Sequence, residues 1–460
     1  MKDYASYSYW LETCGDDLTP RPSLRGTVDA DVAILGAGFT GLWTAYYLLS
    51  RDPSLRVAIL EKEIAGFGAS GRNGGGVSNR FSVSLTRMEQ LYGRQAALDL
   101  QHALDGMVDE IARVAVAEGI EMDFTRGGYL RLARGSHQLE AIERERRAFE
   151  RFGFGDRVQQ LDARETAERV SVSGVVGSLF TGNSGKLHPA KLVRGLARAV
   201  ERRGATIYEG TAVTDYTTGA YPALHTERGH VRAKTIVLAG EAYLSRFPKL
   251  RRNVLPVYSL ITATEPLSTA EWQEIGWEAR EGLSSAAMLV NYLTKTSDGR
   301  ILFGGRGAPY HLGSSIRDEY DRDPATHRML QDQARDWFPL LMDVKFTHTW
   351  GGPLGWPRDY IPTVSYDARD GLAAAYGYTG TGVAPSNLFG RMLADLITGV
   401  DSDIARLPFV NRTGRQWEPE PLRFLGVRYV QRGFQKLDER SAERGTAPDG
   451  RSLVERLTRH

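Results

Sequence analysis

Residues 31–50 read DVAILGAGFTGLWTAYYLLS, and this stretch decides the fold of the chain around it. Val32–Leu35 is a short aliphatic and β-branched run, which is typical of a strand that is buried on both faces. Glycines follow at Gly36, Gly38 and Gly41, and the apolar residues after them are spaced as in a helix. The stretch therefore predicts a strand, a tight glycine turn and a helix.

The three glycines of this turn have separate physical roles. Gly36 permits the tight turn, Gly38 lets a pyrophosphate approach the backbone, and Gly41 lets the helix pack against the strand. The phosphates would lie at the positive end of the helix, where Phe39 and Thr40 begin it. The turn therefore indicates a dinucleotide site.

An acidic residue follows at the spacing that such a site requires. Residues 57–61, VAILE, predict a second strand that ends in Glu61, twenty positions after Gly41. An acidic side chain at that point binds the hydroxyls of the adenosine ribose. We therefore predict that Glu61 and its neighbour Lys62 contact a dinucleotide.

Residues 66–76 read GFGASGRNGGG, and six of these eleven residues are glycine. A flexible surface loop is one interpretation, because glycine weakens helices and strands alike. A backbone that must approach a large anion is the other, and the preceding strand–turn–helix unit favours it.

Further segments of the same type lie far along the chain. RGATIYEGTAVTDY predicts a strand with Val213 at its end, and HVRAKTIVLAGEAY predicts one that ends at Ala239–Gly240. Near the C-terminus, a strand over Leu372–Tyr376 leads to Gly380, Thr381 and Gly382, and a helix follows from Val383. This is a second helix N-terminus presented on glycines, and its dipole would stabilise negative charge. The nucleotide-binding domain is therefore predicted to be split in sequence.

The composition limits the other possibilities. The 460 residues are 42% hydrophobic and 25% charged, with a net charge of +2, so neither a nucleic acid nor an acidic substrate is indicated. The one cysteine, Cys14, allows no intramolecular disulfide and no cysteine-based metal site. The first residues lack the apolar core of a signal peptide, and no apolar run approaches the roughly 20 residues that span a bilayer. We therefore expect a cytoplasmic location.

Four motifs, taken in order, carry a family resemblance: GAGFTG, EKEIAGFGASGRNGG, LAGEAY and YGYTGTGV. They resemble the glycine/sarcosine/D-amino-acid oxidase (DAO) family of FAD enzymes, and within it the γ-glutamylputrescine oxidoreductase branch. GKLHPAKLVRGLARAV (185–200), ATEPL (263–267), DGRILFGG (298–305) and WGGPLGWPRDYIP (350–362) follow the same pattern. The resemblance therefore covers nearly the whole chain.

The resemblance implies an α/β fold with two kinds of domain. A Rossmann-like, glutathione-reductase-like FAD-binding domain would comprise residues 28–90, 160–250 and 345–400. A substrate domain with a mainly antiparallel sheet would comprise 91–159 and 251–344. Residues 1–27 would form an N-terminal arm and residues 401–460 a helical extension.

The resemblance also implies FAD as the cofactor, with residues 66–76 around its pyrophosphate and the ribityl link. The loop residues that it implies as contacts are Gly68, Ala69, Ser70, Arg72, Asn73, Gly74 and Gly75. Some members of the family tether the flavin through a cysteine or through a histidine in this loop. Here Cys14 precedes the first strand and the loop has no histidine. We therefore expect FAD to be bound without a covalent link.

The implied activity is the oxidation of a small-molecule amine, by hydride transfer from the carbon next to nitrogen to flavin N5. Relatives that act on amino acids hold the substrate carboxylate with an arginine in a Gly-Leu-Arg-Pro stretch. The matching stretch here is Trp350-Gly351-Gly352-Pro353, which lacks the arginine of that clamp. The sequence thus favours a secondary amine, an N-alkylated amine or a polyamine derivative over a plain α-amino acid.

The candidates for the substrate site are mostly aromatic. Trp350, Tyr258, Tyr292 and Tyr378 would form pocket walls that hold the amine by cation–π contact, although each also suits an ordinary core. Arg306 would bind an anionic substrate tail or form a surface ion pair. His188 is expected to cap a helix, and His311 is a weaker candidate for the pocket.

The electron acceptor is less well defined by the sequence. Sarcosine oxidases place a lysine near the flavin to assist the reaction with O2, and none follows residues 301–305 here. We expect O2, with transfer to a quinone or another carrier at a membrane as the alternative. A third interpretation, from a different functional class, is a non-catalytic flavin-binding or RNA-modification accessory protein.

The C-terminal extension contains LRFLGVRYVQRGFQKLDER, in which apolar residues and arginines alternate at helical spacing. Such a helix either lies on a membrane surface or packs on its own protein. Packing is the expectation, because basic amphipathic helices more often cover their own chain.

Overall fold

Residues 2–306 and 309–457 are described by a computed structural model, apart from the side chain of Arg306. The strands of this part of the chain are β1 (Gly26–Asp29), β2 (Val32–Leu35), β3 (Val57–Leu60), β4 (Gly76–Ser78), β5 (Tyr129–Arg134), β6 (Val158–Asp162), β7 (Val175–Thr181), β8 (Ser184–Lys186), β9 (Thr206–Tyr208), β10 (Val213–Thr217), β11 (Ala223–Thr226), β12 (Gly229–Arg232), β13 (Thr235–Leu238), β14 (Leu255–Thr264), β15 (Gly282–Ser285), β16 (Asn291–Lys295), β17 (Ile301–Arg306), β18 (Phe346–Trp356), β19 (Thr363–Asp367) and β20 (Leu372–Tyr376).

The helices are α1 (Tyr9–Thr13), α2 (Phe39–Arg51), α3 (Leu85–Tyr92), α4 (Arg94–Asp105), α5 (Met107–Ala117), α6 (Ser136–Phe152), α7 (Ala163–Ala167), α8 (Pro189–Arg202), α9 (Thr269–Ile275), α10 (Pro324–Trp337), α11 (Val383–Thr398), α12 (Leu422–Arg444) and α13 (Leu453–Leu457). Short 3-10 segments include Ala69–Gly71, Glu241–Arg246 and Asp318–Arg322.

A six-stranded sheet carries the glycine turns. Its strand order is β19-β20-β13-β2-β3-β9, and every pair is parallel except β19 with β20. Helices α2 and α11 pack against each other, and α8 packs on α2. The buried aliphatic strands thus lie in a helix-covered parallel sheet, as parallel sheets require.

An eight-stranded sheet forms the second large layer, in the order β18-β14-β17-β16-β15-β5-β7-β6. All of its pairs are antiparallel except β15 with β5. Helix α10 covers one face and buries Leu330, Ala334 and Trp337 against it. The predicted combination of a Rossmann-like sheet and a mainly antiparallel sheet is confirmed.

Some segments lie in a different sheet from the one that the predicted domain division implies. Strands β6 and β7 fall within residues 160–250 or at their edge, yet they pair next to β5 in the eight-stranded sheet. Strand β18 opens residues 345–400, and it pairs along β14. A β-rich run predicts a strand but not its partner, which is why the sequence did not assign these strands. The division into domains therefore stays a prediction.

The predicted single strand ending at Val213 was wrong in its bounds. The segment forms β9 and then β10, which begins at Val213 and belongs to a four-stranded sheet of order β1-β12-β11-β10. Gly210, with φ of 58°, lies in the turn between them. Because of this turn, Val213 begins β10 and does not end the preceding strand.

The C-terminal extension contains α12 and α13, which contact each other, while α12 also contacts α6. Leu422, Leu425 and Tyr429 of α12 are exposed. None of the described helices combines the length and the low charge that crossing a bilayer requires.

Candidate active site

The predicted glycine turns converge on one cavity of about 440 Å³. It lies beyond the ends of β2, β3 and β13, at the first residues of α2 and α11, and Pro353 and Leu354 of β18 close its other side. Of the predicted cofactor contacts, those that line the cavity are Gly36, Gly38, Phe39, Thr40, Glu61, Lys62, Gly68, Ala69, Ser70, Asn73, Val213, Ala239, Gly240, Gly380, Gly382 and Val383.

Five predicted cofactor residues lie behind this lining: Gly41, Arg72, Gly74, Gly75 and Thr381. A Cβ on Gly41 would overlap the carbonyl oxygen of Gly36, and one on Gly74 would lie 2.6 Å from the ring of Tyr292. The Thr381 hydroxyl donates to the Tyr378 carbonyl oxygen at 3.0 Å. These residues shape the wall by packing.

The first turn is closely packed against the protein at both of its cavity-lining glycines. Gly36 has φ of 102°, and a Cβ there would lie 2.8 Å from the Ala239 carbonyl oxygen. A Cβ on Gly38 would lie 3.0 Å from Ser70 Oγ, which accepts a hydrogen bond of 2.8 Å from the Phe39 amide. A side chain at Gly36 would therefore be strained and would meet backbone, whereas one at Gly38 would press on the Ser70 side chain.

Glu61 directly follows β3, and its carboxylate is directed back at the first turn. It accepts hydrogen bonds from the amides of Ala37 (2.9 Å) and Glu63 (3.0 Å). Withdrawal from solvent raises the pKa of Glu61 to about 7. A carboxylate in this place is a strong acceptor for ligand hydroxyls, as a ribose-binding residue must be.

Glu241 also borders the cavity, and the sequence analysis missed it. Its carboxylate accepts from the amides of Gly377 (2.6 Å), Gly355 (2.9 Å) and Tyr378 (3.3 Å). Burial raises the pKa of Glu241 to about 7, and its φ of 48° is unusual for a residue with a side chain. The available signal was an acidic residue directly after a buried strand and Ala239–Gly240.

Arg72, an expected polar contact of the cofactor, is not among the residues that line the cavity. Its guanidinium forms a buried ion pair with Asp321 at 2.6 Å and donates to the Tyr243 hydroxyl at 2.8 Å. The ring of Phe67 lies 4.7 Å from it. Arg72 therefore fixes the glycine loop to the segment Asp318–Arg322.

Asn73 does line the cavity, and its side chain shapes the same loop. The amide nitrogen donates to the carbonyl oxygens of Ala69 and Ser70, both at 3.1 Å. Its Oδ1 accepts from the Gly75 amide at 2.8 Å. The loop is thus held by its own polar side chain.

Of the aromatic candidates for the substrate pocket, Tyr378 lines the cavity, and its hydroxyl is hydrogen-bonded to Thr40 Oγ1 at 2.9 Å. Tyr292 does not line the cavity; its half-buried side chain has the hydroxyl 3.0 Å from Ser259 Oγ. The side chain of Arg306, at the end of β17, lies outside the described residues.

Two other candidates do not reach the cavity. Tyr258 packs in the core beneath α10, and its hydroxyl accepts from the Arg317 amide at 3.2 Å. Trp350 is buried against α1, and its indole donates to the Arg72 carbonyl oxygen at 2.9 Å. They do not line this cavity, and their placement at the substrate site stays a prediction.

The two histidines that the sequence singles out do not line this cavity. His188 caps α8, as expected, with Nδ1 accepting from the Lys191 amide at 3.2 Å, and burial lowers its pKa to about 4. His311 stacks on Tyr320 with ring centroids 3.4 Å apart, away from the cavity. Within residues 2–306 and 309–457, no group of acidic, histidine or cysteine side chains could hold a metal ion.

These residues fit FAD on structural grounds. Two helix N-termini and a glycine-lined wall suit an anionic, extended ligand, because side chains there would obstruct it. Glu61 supplies the acceptor for ribose hydroxyls at the end of β3. Near Pro353, Leu354 and Tyr378 the cavity becomes apolar, which suits a flavin ring.

Comparisons with known proteins agree with the assignment of this cavity to FAD. Residues 31–396 match the FAD dependent oxidoreductase family, DAO. Gamma-glutamylputrescine oxidoreductase of Escherichia coli (strain K12) is 30% identical over 444 residues, which cover 93% of this chain and 98% of the relative. The probable oxidoreductase OrdL of Haemophilus influenzae is 31% identical over 411 residues, or 86% of this chain and 89% of OrdL.

Among solved structures, glycine oxidase from Geobacillus kaustophilus gives a TM-score of 0.70 at 22% identity, covering 84% of this chain and 100% of that one. L-Proline dehydrogenase from P. horikoshii gives 0.68 at 20% identity, covering 83% and 96%. The chain belongs to the DAO family of FAD-dependent oxidoreductases and is an enzyme that oxidises amines or amino acids.

Proposed function

We propose that this enzyme oxidises a secondary amine, an N-alkylated amine or a polyamine derivative at the carbon next to nitrogen. The bound flavin supplies the hydride acceptor, and the imine product hydrolyses to an aldehyde or keto compound and an amine. The name of the Escherichia coli relative, an oxidoreductase of gamma-glutamylputrescine, supports a polyamine derivative.

The observation that carries this proposal is that β18 borders the cavity with uncharged residues only. By the family resemblance, Gly352 takes the place of the arginine in the carboxylate clamp, and its neighbours Pro353 and Leu354 border the cavity. The guanidinium of Arg72 would lie 3.4 Å from a Cβ on Gly352, but Asp321 neutralises it. Arg72 is therefore not available to hold a substrate carboxylate.

The cavity residues would keep the reacting amine dry and oriented. Tyr378 stays protonated, since burial raises the pKa of its phenol. Its hydroxyl is engaged with Thr40, so it supplies an aromatic face rather than a base. An amine that binds in its neutral form needs no strong base to release a hydride, and exclusion of water favours that form.

We propose that O2 reoxidises the flavin and that H2O2 is released, with transfer to a quinone or another carrier as the alternative. Oxygen consumption coupled to peroxide formation by the purified holoenzyme would separate these two outcomes. Peroxide-free turnover that depends on an added quinone would overturn the O2 proposal.

An anaerobic panel of amines, followed by flavin absorbance, tests the substrate class. We expect polyamine derivatives and N-alkylated amines to bleach the flavin, and glycine and D-alanine to bleach it at least tenfold more slowly. The reverse order would overturn the proposal and would call for a carboxylate clamp elsewhere.

A further inference from the structure

We propose that residues 4–13, the N-terminal strap, are a positioning element of the FAD site. The strap lies before residues 31–396, the part of the chain that matches the family, so that match assigns it no role. The inference rests on the proposed assignment of the cavity to FAD. It concerns the loop of residues 66–76, the cofactor loop, whose Ser70 and Asn73 line that cavity.

The strap holds two backbone carbonyls of the cofactor loop. Ser8 Oγ donates to the Gly71 carbonyl oxygen at 3.0 Å, and Trp10 Nε1 donates to that of Asn73 at 2.6 Å. Both donors are 97% buried, and the side chain of Leu11 packs over Gly71. Ser8 also caps α1 by accepting from the Leu11 amide at 3.1 Å, so the helix and the loop share one anchor.

The other side of the strap is anchored outside the cofactor loop. The Tyr9 hydroxyl donates to Asp298 Oδ1 at 2.6 Å, in the turn between β16 and β17. The Tyr7 hydroxyl donates to Asp318 at 2.9 Å, and Asp318 itself borders the cavity. The strap thus ties the glycine-rich loop to the eight-stranded sheet and to the segment Asp318–Arg322.

These contacts matter because of the composition of the loop. Six glycines in eleven residues give it a large conformational entropy when it is free, and ordering it opposes cofactor binding. Carbonyl oxygens that faced a pyrophosphate would also repel it. By accepting from Ser8 and Trp10, the oxygens of Gly71 and Asn73 are turned towards the strap. The strap therefore orders the loop in a conformation in which these two oxygens do not face a bound anion.

Trp10→Phe tests this role, because it removes the indole donor and keeps an aromatic ring. Trp43→Phe is the matched control: Trp43 is fully buried on α2, and its indole nitrogen has no hydrogen-bond partner in the described structure. Both variants lose the same atoms from a buried site. Only Trp10→Phe loses a bond to the cofactor loop.

We expect Trp10→Phe and Ser8→Ala each to raise the dissociation constant for FAD about three- to tenfold, as loss of one hydrogen bond implies. Trp43→Phe should stay within about twofold of wild type by the same reasoning. The readouts are titration of apoprotein with FAD by flavin fluorescence, the visible circular dichroism of the bound flavin, and the thermal midpoint of the apoprotein. A lower midpoint in both tryptophan variants, with weaker FAD binding only in Trp10→Phe, supports positioning.

Equal FAD affinity in Trp10→Phe and Trp43→Phe would overturn the strap proposal. Gly38→Val separates this failure from failure of the cavity assignment, because it adds bulk at a residue that lines the cavity and presses on Ser70, which also lines it. Loss of FAD in Gly38→Val with unchanged affinity in Trp10→Phe contradicts the strap alone. Unchanged FAD affinity in Gly38→Val contradicts the cavity assignment, and the strap proposal falls with it.

Discussion

At the scale of single residues, the most consequential difference from expectation concerns Arg72. An arginine among glycines beside a dinucleotide motif was expected to meet the ligand. In the structure it is paired with Asp321, whose pKa burial raises to about 6. Arg72 Nε and Asp321 Oδ1 are buried and make no further hydrogen bond in the described structure. Removal of either side chain would therefore leave the other charge buried without its counter-charge.

Asp321→Asn should destabilise the protein severely, because it leaves the Arg72 guanidinium buried without its counter-charge. We expect the free energy of unfolding to fall by about 3–5 kcal/mol in urea titrations of the apoprotein. Asp29→Asn is the control, since its ion pair with Arg232 is more than half exposed and solvent screens it. Comparable losses in the two variants would contradict this account.

At the scale of elements, the packing of α2 on the six-stranded sheet depends on Gly41. A Cβ there would overlap the Gly36 carbonyl oxygen and would lie 3.1 Å from Ile34 Cγ2. Backbone atoms cannot rotate aside as a side chain can, so the helix itself would have to move. Its N-terminus at the cavity would move with it.

Gly41→Ala should therefore lower the thermal midpoint and weaken FAD binding together. Overpacking of this kind costs about 1–3 kcal/mol. Gly426→Ala is the matched control, because Gly426 is exposed within α12 with no atom within 4 Å of its Cβ position. The control should gain up to about 1 kcal/mol from helix propensity. A stable Gly41→Ala variant with normal FAD affinity would refute the packing argument.

At the scale of the whole molecule, Glu241 connects the two large sheets. Its carboxylate accepts from Gly355 in β18 and from Gly377, just after β20. A glutamine side chain would direct its own N–H group at one of these backbone N–H groups. Glu241→Gln should therefore destabilise the apoprotein by about 1–3 kcal/mol, measured by urea unfolding.

The pH dependence of the Glu241→Gln effect follows from linkage. The folded-state pKa of Glu241 is about 7, above the ordinary value of a glutamate. Between those two values the folded protein retains a proton that the unfolded chain has released, so its stability falls as pH rises. The stability advantage of wild type over Glu241→Gln should shrink between about pH 5 and about pH 7.5. An advantage that grows over this interval would contradict the raised pKa.

Ligand binding provides a test of whether the cavity couples both sheets. Its wall includes Pro353 and Leu354 from the eight-stranded sheet as well as the glycine turns of the six-stranded one. Free FAD at one hundred times its dissociation constant should add about 2.7 kcal/mol to the free energy of unfolding. Calorimetry should show one transition that moves as a unit, whereas a stationary second transition would indicate that the sheets unfold independently.

The sequence by itself determined the local units of the fold. The unit β2–α2–β3 and the segment from β20 to α11 follow from aliphatic runs, glycine spacing and Pro385 in the first helical turn. Glycines near each helix start require conformations or close approaches that other residues resist. Such constraints act between neighbours along the chain, so the pattern of residues reveals them.

Only the tertiary structure decided which distant side chains meet. The ion pair of Arg72 with Asp321, the hydrogen bonds of Trp350 and Tyr258, and the three backbone bonds of Glu241 each join segments far apart in sequence. Strand register and sheet pairing set those encounters, and neither is encoded in a local run of residues. A glycine turn is a property of its own backbone, whereas a buried charge acquires its role from the partner that folding brings to it.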